Sequence, residues 1–141
     1  MKDTKQKKVT FIAANWHADI VDQALAGFMA AVGDDCAVEV VRVPGAFEIP
    51  LAAKRAIAAG AEAVIGCAFV VDGGIYRHDF VAATVVDALM RVQLDMDVPV
   101  FSVVLTPHHY QETPVHNAFF KEHFVKKGAE AAAALRAMVA I

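Results

Sequence analysis

Apolar residues in this chain fall into four short blocks, separated by longer stretches in which they recur at helical spacing. Residues 9–14 form an apolar run with strand character. Over 19–32, Val21, Leu25, Phe28 and Val32 share one helical face, and Gly33 closes the segment. Residues 38–43 are rich in β-branched side chains and end at Pro44-Gly45. Residues 49–59 predict an alanine-rich helix ending at Gly60. Residues 63–71 are continuously apolar, the pattern of a strand covered on both faces. The spacing of Val81, Val85, Leu89 and Val92 predicts a helix over 80–96, and 98–105 reads as a fourth strand. After a loop, the rest to 141 is helical in pattern, with Gly128 a candidate interruption. Strict strand–helix alternation implies parallel strands, right-handed crossovers and helices on both sheet faces. The expected fold class is therefore α/β: three layers, α/β/α, around a four-stranded parallel sheet, flavodoxin-like in outline. One domain over 1–141 is expected, with 1–8 as a short N-terminal extension.

Composition narrows the function classes. Apolar residues make up 57% of the 141, above the roughly 45–50% usual for soluble chains. The longest apolar run, 63–71, is far shorter than the ~20 residues of a membrane span, and no leader pattern opens the chain. The surplus is assigned to contacts between copies, so a homo-oligomer is expected and a membrane partner is not. A net charge of −3, with basic runs only at 5–8 and 126–127, argues against a nucleic-acid partner. Cys36 and Cys67 form no CxxC or zinc pattern, which fits a reduced, cytoplasmic setting, with Cys67 as inert core.

The unusual residues sit where strands end. The clusters are Asn15-Trp16-His17, residues 44–48, residues 72–78 and Thr106-Pro107-His108-His109. In an open parallel sheet these ends line one edge, and ligands bind there. Trp16, the only tryptophan, is a candidate stacking platform, the alternative being a core or interface aromatic. Gly45 permits close backbone approach, and Glu48 can accept hydroxyl hydrogen bonds or simply complement a helix dipole. Gly73 and Gly74 expose backbone N–H groups to an anion, Arg77 adds a cation that can fork onto phosphate, and His78 can move protons. A capped glycine-rich turn is the bland reading of the same residues. His108, His109, His116 and His123 lie close in sequence without a compact ligand pattern, so anion or interface contacts are favoured over a metal. No cofactor is expected.

Taken together, these segments resemble the lumazine synthase family. The run Val43-Pro44-Gly45-Ala46-Phe47-Glu48-Ile49-Pro50-Leu51 is highly specific to it, and 98–106 and 127–131 follow in the expected order. Residues 16–19, 72–80 and 105–109 look like the family's second type, whose members resemble decamers of two pentamers. The resemblance implies a transferase that joins 5-amino-6-(D-ribitylamino)uracil to 3,4-dihydroxy-2-butanone 4-phosphate. The product is 6,7-dimethyl-8-ribityllumazine, with loss of phosphate and water. It further implies that Trp16 stacks on the pyrimidine, that Ala46 and Phe47 present backbone, and that Glu48 holds ribityl hydroxyls. Val70 and Val71 would contact the ring, His78 would transfer protons, and Glu130 would orient and charge that histidine.

Three departures from the commoner family pattern stand out. The segment before His78 is Gly73-Gly74-Ile75-Tyr76-Arg77 rather than a shorter Gly-Ala-Thr-Thr. Ser102 stands where a ring-contacting Phe is common, and residues 117–121 lack the usual phosphate-binding Arg. The expectation is that Arg77, with His116 or His123, replaces that arginine. The competing readings are a flavin or lumazine carrier with little catalysis and a flavodoxin-like electron carrier. The second is disfavoured because Asn15-Trp16-His17 is not a phosphate loop.

Overall fold

The strand that organises the molecule is β3 (Ala63–Phe69), buried along its whole length at the centre of a four-stranded parallel sheet of order β2-β1-β3-β4. The structure, a computed structural model, describes residues 6–71, 77–107 and 113–139. Its other strands are β1 (Lys7–Ala14), β2 (Cys36–Val43) and β4 (Val100–Leu105). The helices are α1 (Ala18–Val32), α2 (Ile49–Ala58), α3 (His78–Met96) and α4 (Pro114–Met138), with a 3-10 turn at Ala46–Glu48. The α/β three-layer expectation is met.

Alternation along the central strands splits the core in two, because successive side chains point to opposite sheet faces. Val9, Phe11 and Ala13 of β1 and Ile65 and Cys67 of β3 pack under α1 and α4. Ile12, Val64 and Ala68 pack under α2 and α3 with Ile49, Val85 and Leu89.

Several boundaries shift from the sequence reading, two of them with a clear cause. The ladder begins at Lys7, whose N–H bonds Asp35 O at 2.9 Å, so the expected extension 1–8 ends two residues early. Strand β3 stops at Phe69, although the apolar run continues through Val71. Gly128 is not an interruption: α4 is continuous from Pro114 to Met138. The glycine is needed for packing. A Cβ at Gly128 would lie 2.0 Å from Ala24 O, and one at Gly27 would lie 2.1 Å from Val125 O. Helices α1 and α4 thus meet backbone to backbone through a reciprocal pair of glycines. Further along, Arg136 donates to Val32 O at 2.8 Å and pairs with Asp35 at 3.3 Å, satisfying a carbonyl at the end of α1. Among the described residues, no helix is long and apolar enough to cross a membrane.

Candidate active site

All four strands are parallel, so their carboxyl ends share one edge, and the described residues that follow them begin there. After β1, Asn15 N–H extends the pairing to Val43 O (2.9 Å), and His17 turns into the left-handed region at φ 56°. Histidine tolerates that region better than branched residues do. The His17 carbonyl then accepts from Ile20 and Val21, both at 3.0 Å, starting α1, while its ring meets Phe69 edge-on at 5.5 Å. This tight turn leaves Trp16 71% exposed, which removes the core-aromatic reading.

After β2, Glu48 N–H closes a turn onto Gly45 O at 3.3 Å, and Pro50 occupies the first turn of α2, where its missing N–H costs nothing. The Ala46–Glu48 turn packs against β3 and α3 and leaves Phe47 and Glu48 exposed. A groove of about 920 Å³ opens beside it over β2, lined by Val41, Val43, Phe47, Glu48, Leu51 and Arg55. Of the candidate site residues only Phe47 and Glu48 reach this groove. It is therefore an open face of edge strand β2, and His78 does not line it.

The third and fourth strand ends are bonded together. Val70 N–H donates to Leu105 O at 2.9 Å, and Thr106 Oγ1 donates to Val70 O at 2.7 Å. His78, the first residue of α3, places its Nδ1 2.5 Å from the same Thr106 oxygen. Both backbone groups of Val70 are thus engaged and its side chain is buried, whereas Val71 is half-buried. Thr106 was singled out in sequence only as part of the cluster after β4, with no role of its own, and the structure links its hydroxyl to both Val70 and His78. Its only signal was a hydroxyl at a strand end, just before Pro107.

Arg77 is held ahead of α3. Its Nη2 lies 3.2 Å from Asp79 Oδ2, and its guanidinium sits 4.7 Å from the Phe80 ring centroid. Asp79 also accepts from Phe80 N–H at 3.1 Å. His116 and His123 belong to α4, on the other face of the sheet. His123 stacks on Phe119 at 6.0 Å, and His116 packs edge-on to Phe120 at 6.3 Å. Within one chain they do not join Arg77. Nor does Glu130 join His78: its carboxylate pairs with Lys127 Nζ at 3.1 Å on the exposed side of α4. The expected Glu–His pair is therefore absent inside a single chain, because α4 runs back along α1, away from the strand ends. Ser102 Oγ accepts from Val104 N–H at 3.3 Å on edge strand β4, a local use of its hydroxyl. Gly73 and Gly74 lie outside the described residues, as do His108 and His109.

A family model for 6,7-dimethyl-8-ribityllumazine synthase matches residues 6–141. The chain belongs to the lumazine synthase family. The 6,7-dimethyl-8-ribityllumazine synthase of Rhodococcus erythropolis is 54% identical over 144 residues, spanning 99% of this chain and 93% of its own length. The 6,7-dimethyl-8-ribityllumazine synthase 2 of Pseudomonas syringae pv. tomato is 52% identical over 136 residues, with 93% and 80% covered. A third relative, 6,7-dimethyl-8-ribityllumazine synthase 2 of Bradyrhizobium diazoefficiens, is 50% identical over 133 residues, with 92% and 81% covered. Lumazine synthase likeness thus extends well beyond the 43–51 run that first carried it.

Proposed function

We propose that the protein condenses 5-amino-6-(D-ribitylamino)uracil with 3,4-dihydroxy-2-butanone 4-phosphate to give 6,7-dimethyl-8-ribityllumazine. The observation that carries the reading is the placement of Trp16, Glu48 and His78 along one carboxyl edge in a chain of this family. Trp16 offers an uncovered aromatic face for the pyrimidine, and Glu48 offers acceptors for the ribityl hydroxyls. The arylamine attacks the ketone and water leaves to form an imine. Phosphate is then eliminated, the enol rearranges to a ketone, and the ribityl-bearing nitrogen attacks that carbonyl and closes the ring with loss of a second water. Each step moves protons, and His78 is the group placed to move them. Holding two reactive partners in register supplies much of the remaining acceleration. Arg77 is our candidate for the phosphate, exchanging or sharing its Asp79 contact.

We further infer that the site is completed between subunits of a pentamer, paired into a decamer. Phe80 and Leu94 of α3 are 63% and 71% exposed, and Val115 of α4 is 77% exposed, an apolar surplus that suits burial against copies of the chain. A neighbouring α4 would bring Glu130, His116 and His123 toward these strand ends. Cys36 and Cys67 are both buried and unpaired, which suits a reducing compartment such as the cytoplasm. The relatives described above are named as synthases, and nothing favours the carrier reading. The test is fluorescent product formation from the two substrates above the spontaneous rate. We expect saturable turnover, a loss on the order of tenfold or more in His78→Ala, and a raised KM for the phosphate substrate alone in Arg77→Ala. Tight binding of the lumazine without acceleration would sink the synthase reading.

A further inference from the structure

The bonds at the ends of β3 and β4 determine more than position. A threonine hydroxyl has one proton and can donate once. Thr106 Oγ1 lies 2.7 Å from Val70 O, and a carbonyl oxygen can only accept. If the hydroxyl proton pointed elsewhere, two oxygens would face each other at that distance with nothing between them. The proton therefore points to Val70, and Oγ1 presents a lone pair to His78 Nδ1 at 2.5 Å. Nδ1 must then carry the hydrogen.

We propose that Thr106 is a positioning residue that fixes His78 as the Nδ1–H tautomer, so that Nε2 is the nitrogen that exchanges protons with the substrate. This rests on the reading of His78 as the proton-transfer group. The protonation site of one ring nitrogen is set by the hydrogen bond the other makes, and here that bond is built on two paired strand ends. Val70 cannot shift without breaking its own N–H bond to Leu105. In the imidazolium state Nδ1–H still donates to Thr106, so a proton can arrive at Nε2 and leave again with no turn of the ring. The acceptor is neutral, so Thr106 sets which nitrogen works without fixing the charge, a task left to groups that approach Nε2. This division of labour fits the finding that Glu130 does not contact His78 within one chain.

The test combines histidine 15N NMR with steady-state kinetics on the assembled protein. At alkaline pH the His78 signals, assigned by their loss in His78→Ala, are expected to show a protonated Nδ1 and a bare Nε2. In Thr106→Val, which keeps the side-chain shape, the tautomer population should move toward Nε2–H. There kcat should fall on the order of tenfold with both KM values nearly unchanged. Thr106→Ser, which keeps the hydroxyl, should restore both readouts. An Nε2–H tautomer in the wild type overturns the proposal. So does an unaltered kcat in Thr106→Val when His78→Ala is impaired. A wild-type rate in His78→Ala would instead remove the catalytic reading of His78, and with it the role of Nε2, while the NMR signals would still decide whether Thr106 holds the ring.

Discussion

Cys67 shows how a single buried side chain makes stability depend on pH. Its thiol is fully buried mid-strand, with Sγ 3.9 Å from Val21 O. Burial pushes its pKa far up, the Asp22 carboxylate pushes the same way, and Arg42 opposes. Burial also raises Cys36, with Arg136 opposing and the Asp35 and Glu62 carboxylates adding to the rise. The unfolded chain ionises both thiols near their ordinary value, while the folded chain holds their protons to higher pH, Cys67 far more firmly than Cys36. The unfolded state then binds fewer protons, so stability is fully present below that ordinary value and falls as pH rises above it. For Cys67 the slope is about 1.4 kcal/mol per pH unit above roughly pH 8.5–9. Urea unfolding midpoints at neutral and alkaline pH should show this decline, and Cys67→Ala should lose part of it. An identical decline in Cys67→Ala would rule Cys67 out as a source. At the same scale, the Asp22–Arg42 ion pair is exposed on both sides and contributes little by comparison.

At the scale of elements, the α1–α4 crossing is the contact most sensitive to a single methyl group. Gly128→Ala should gain up to about 1 kcal/mol of helix propensity, yet its Cβ would meet the Ala24 carbonyl at 2.0 Å, and backbone cannot swing aside. We expect net destabilisation of about 1–3 kcal/mol or more, as for other overpacked sites, read as a lower thermal midpoint. A midpoint equal to wild type would mean that the helices separate freely. The same element shows what the sequence could and could not reveal. The continuous run at 63–71 marked β3 as a strand covered on both faces, and period and β-branching gave the order of all eight main elements. Gly128 was misread because a glycine spaced for packing looks the same in sequence as one that ends a helix. The end of β3 was misread because Val70 and Val71 remain apolar after the ladder stops. In the site, Trp16, Glu48 and His78 were legible because each follows a strand. The role of Thr106 was not, because it comes from an oxygen on another strand and a ring on a helix far away in sequence. Glu130 does not meet His78 within one chain, and its pairing is left to a neighbouring copy of α4, as proposed above.

At the scale of the whole molecule, the telling feature is the apolar surface that one chain leaves uncovered. Val86, Met90 and Leu94 recur at four-residue spacing on the outer side of α3, and all are exposed. A solvated helix face has no use for such a stripe, whereas an interface does. Charged replacements at Met90 and Leu94 together should reduce the particle mass seen by light scattering, with little change in the circular dichroism of the subunit. Turnover should fall with the mass, because our reading completes each site with a neighbour's helix. Full activity in a dissociated variant would show that one chain holds the whole site.

The exposure of Trp16 also has an optical consequence. As the only tryptophan, it supplies the near-ultraviolet emission on its own, and in a single subunit it already stands in water. Unfolding the subunit therefore leaves its emission wavelength almost where it was. What changes that light is a flat ring laid on the indole or a neighbour closing over it. Denaturation curves followed by this fluorescence would report dissociation and ligand loss, and melting of the fold itself has to be followed through the backbone.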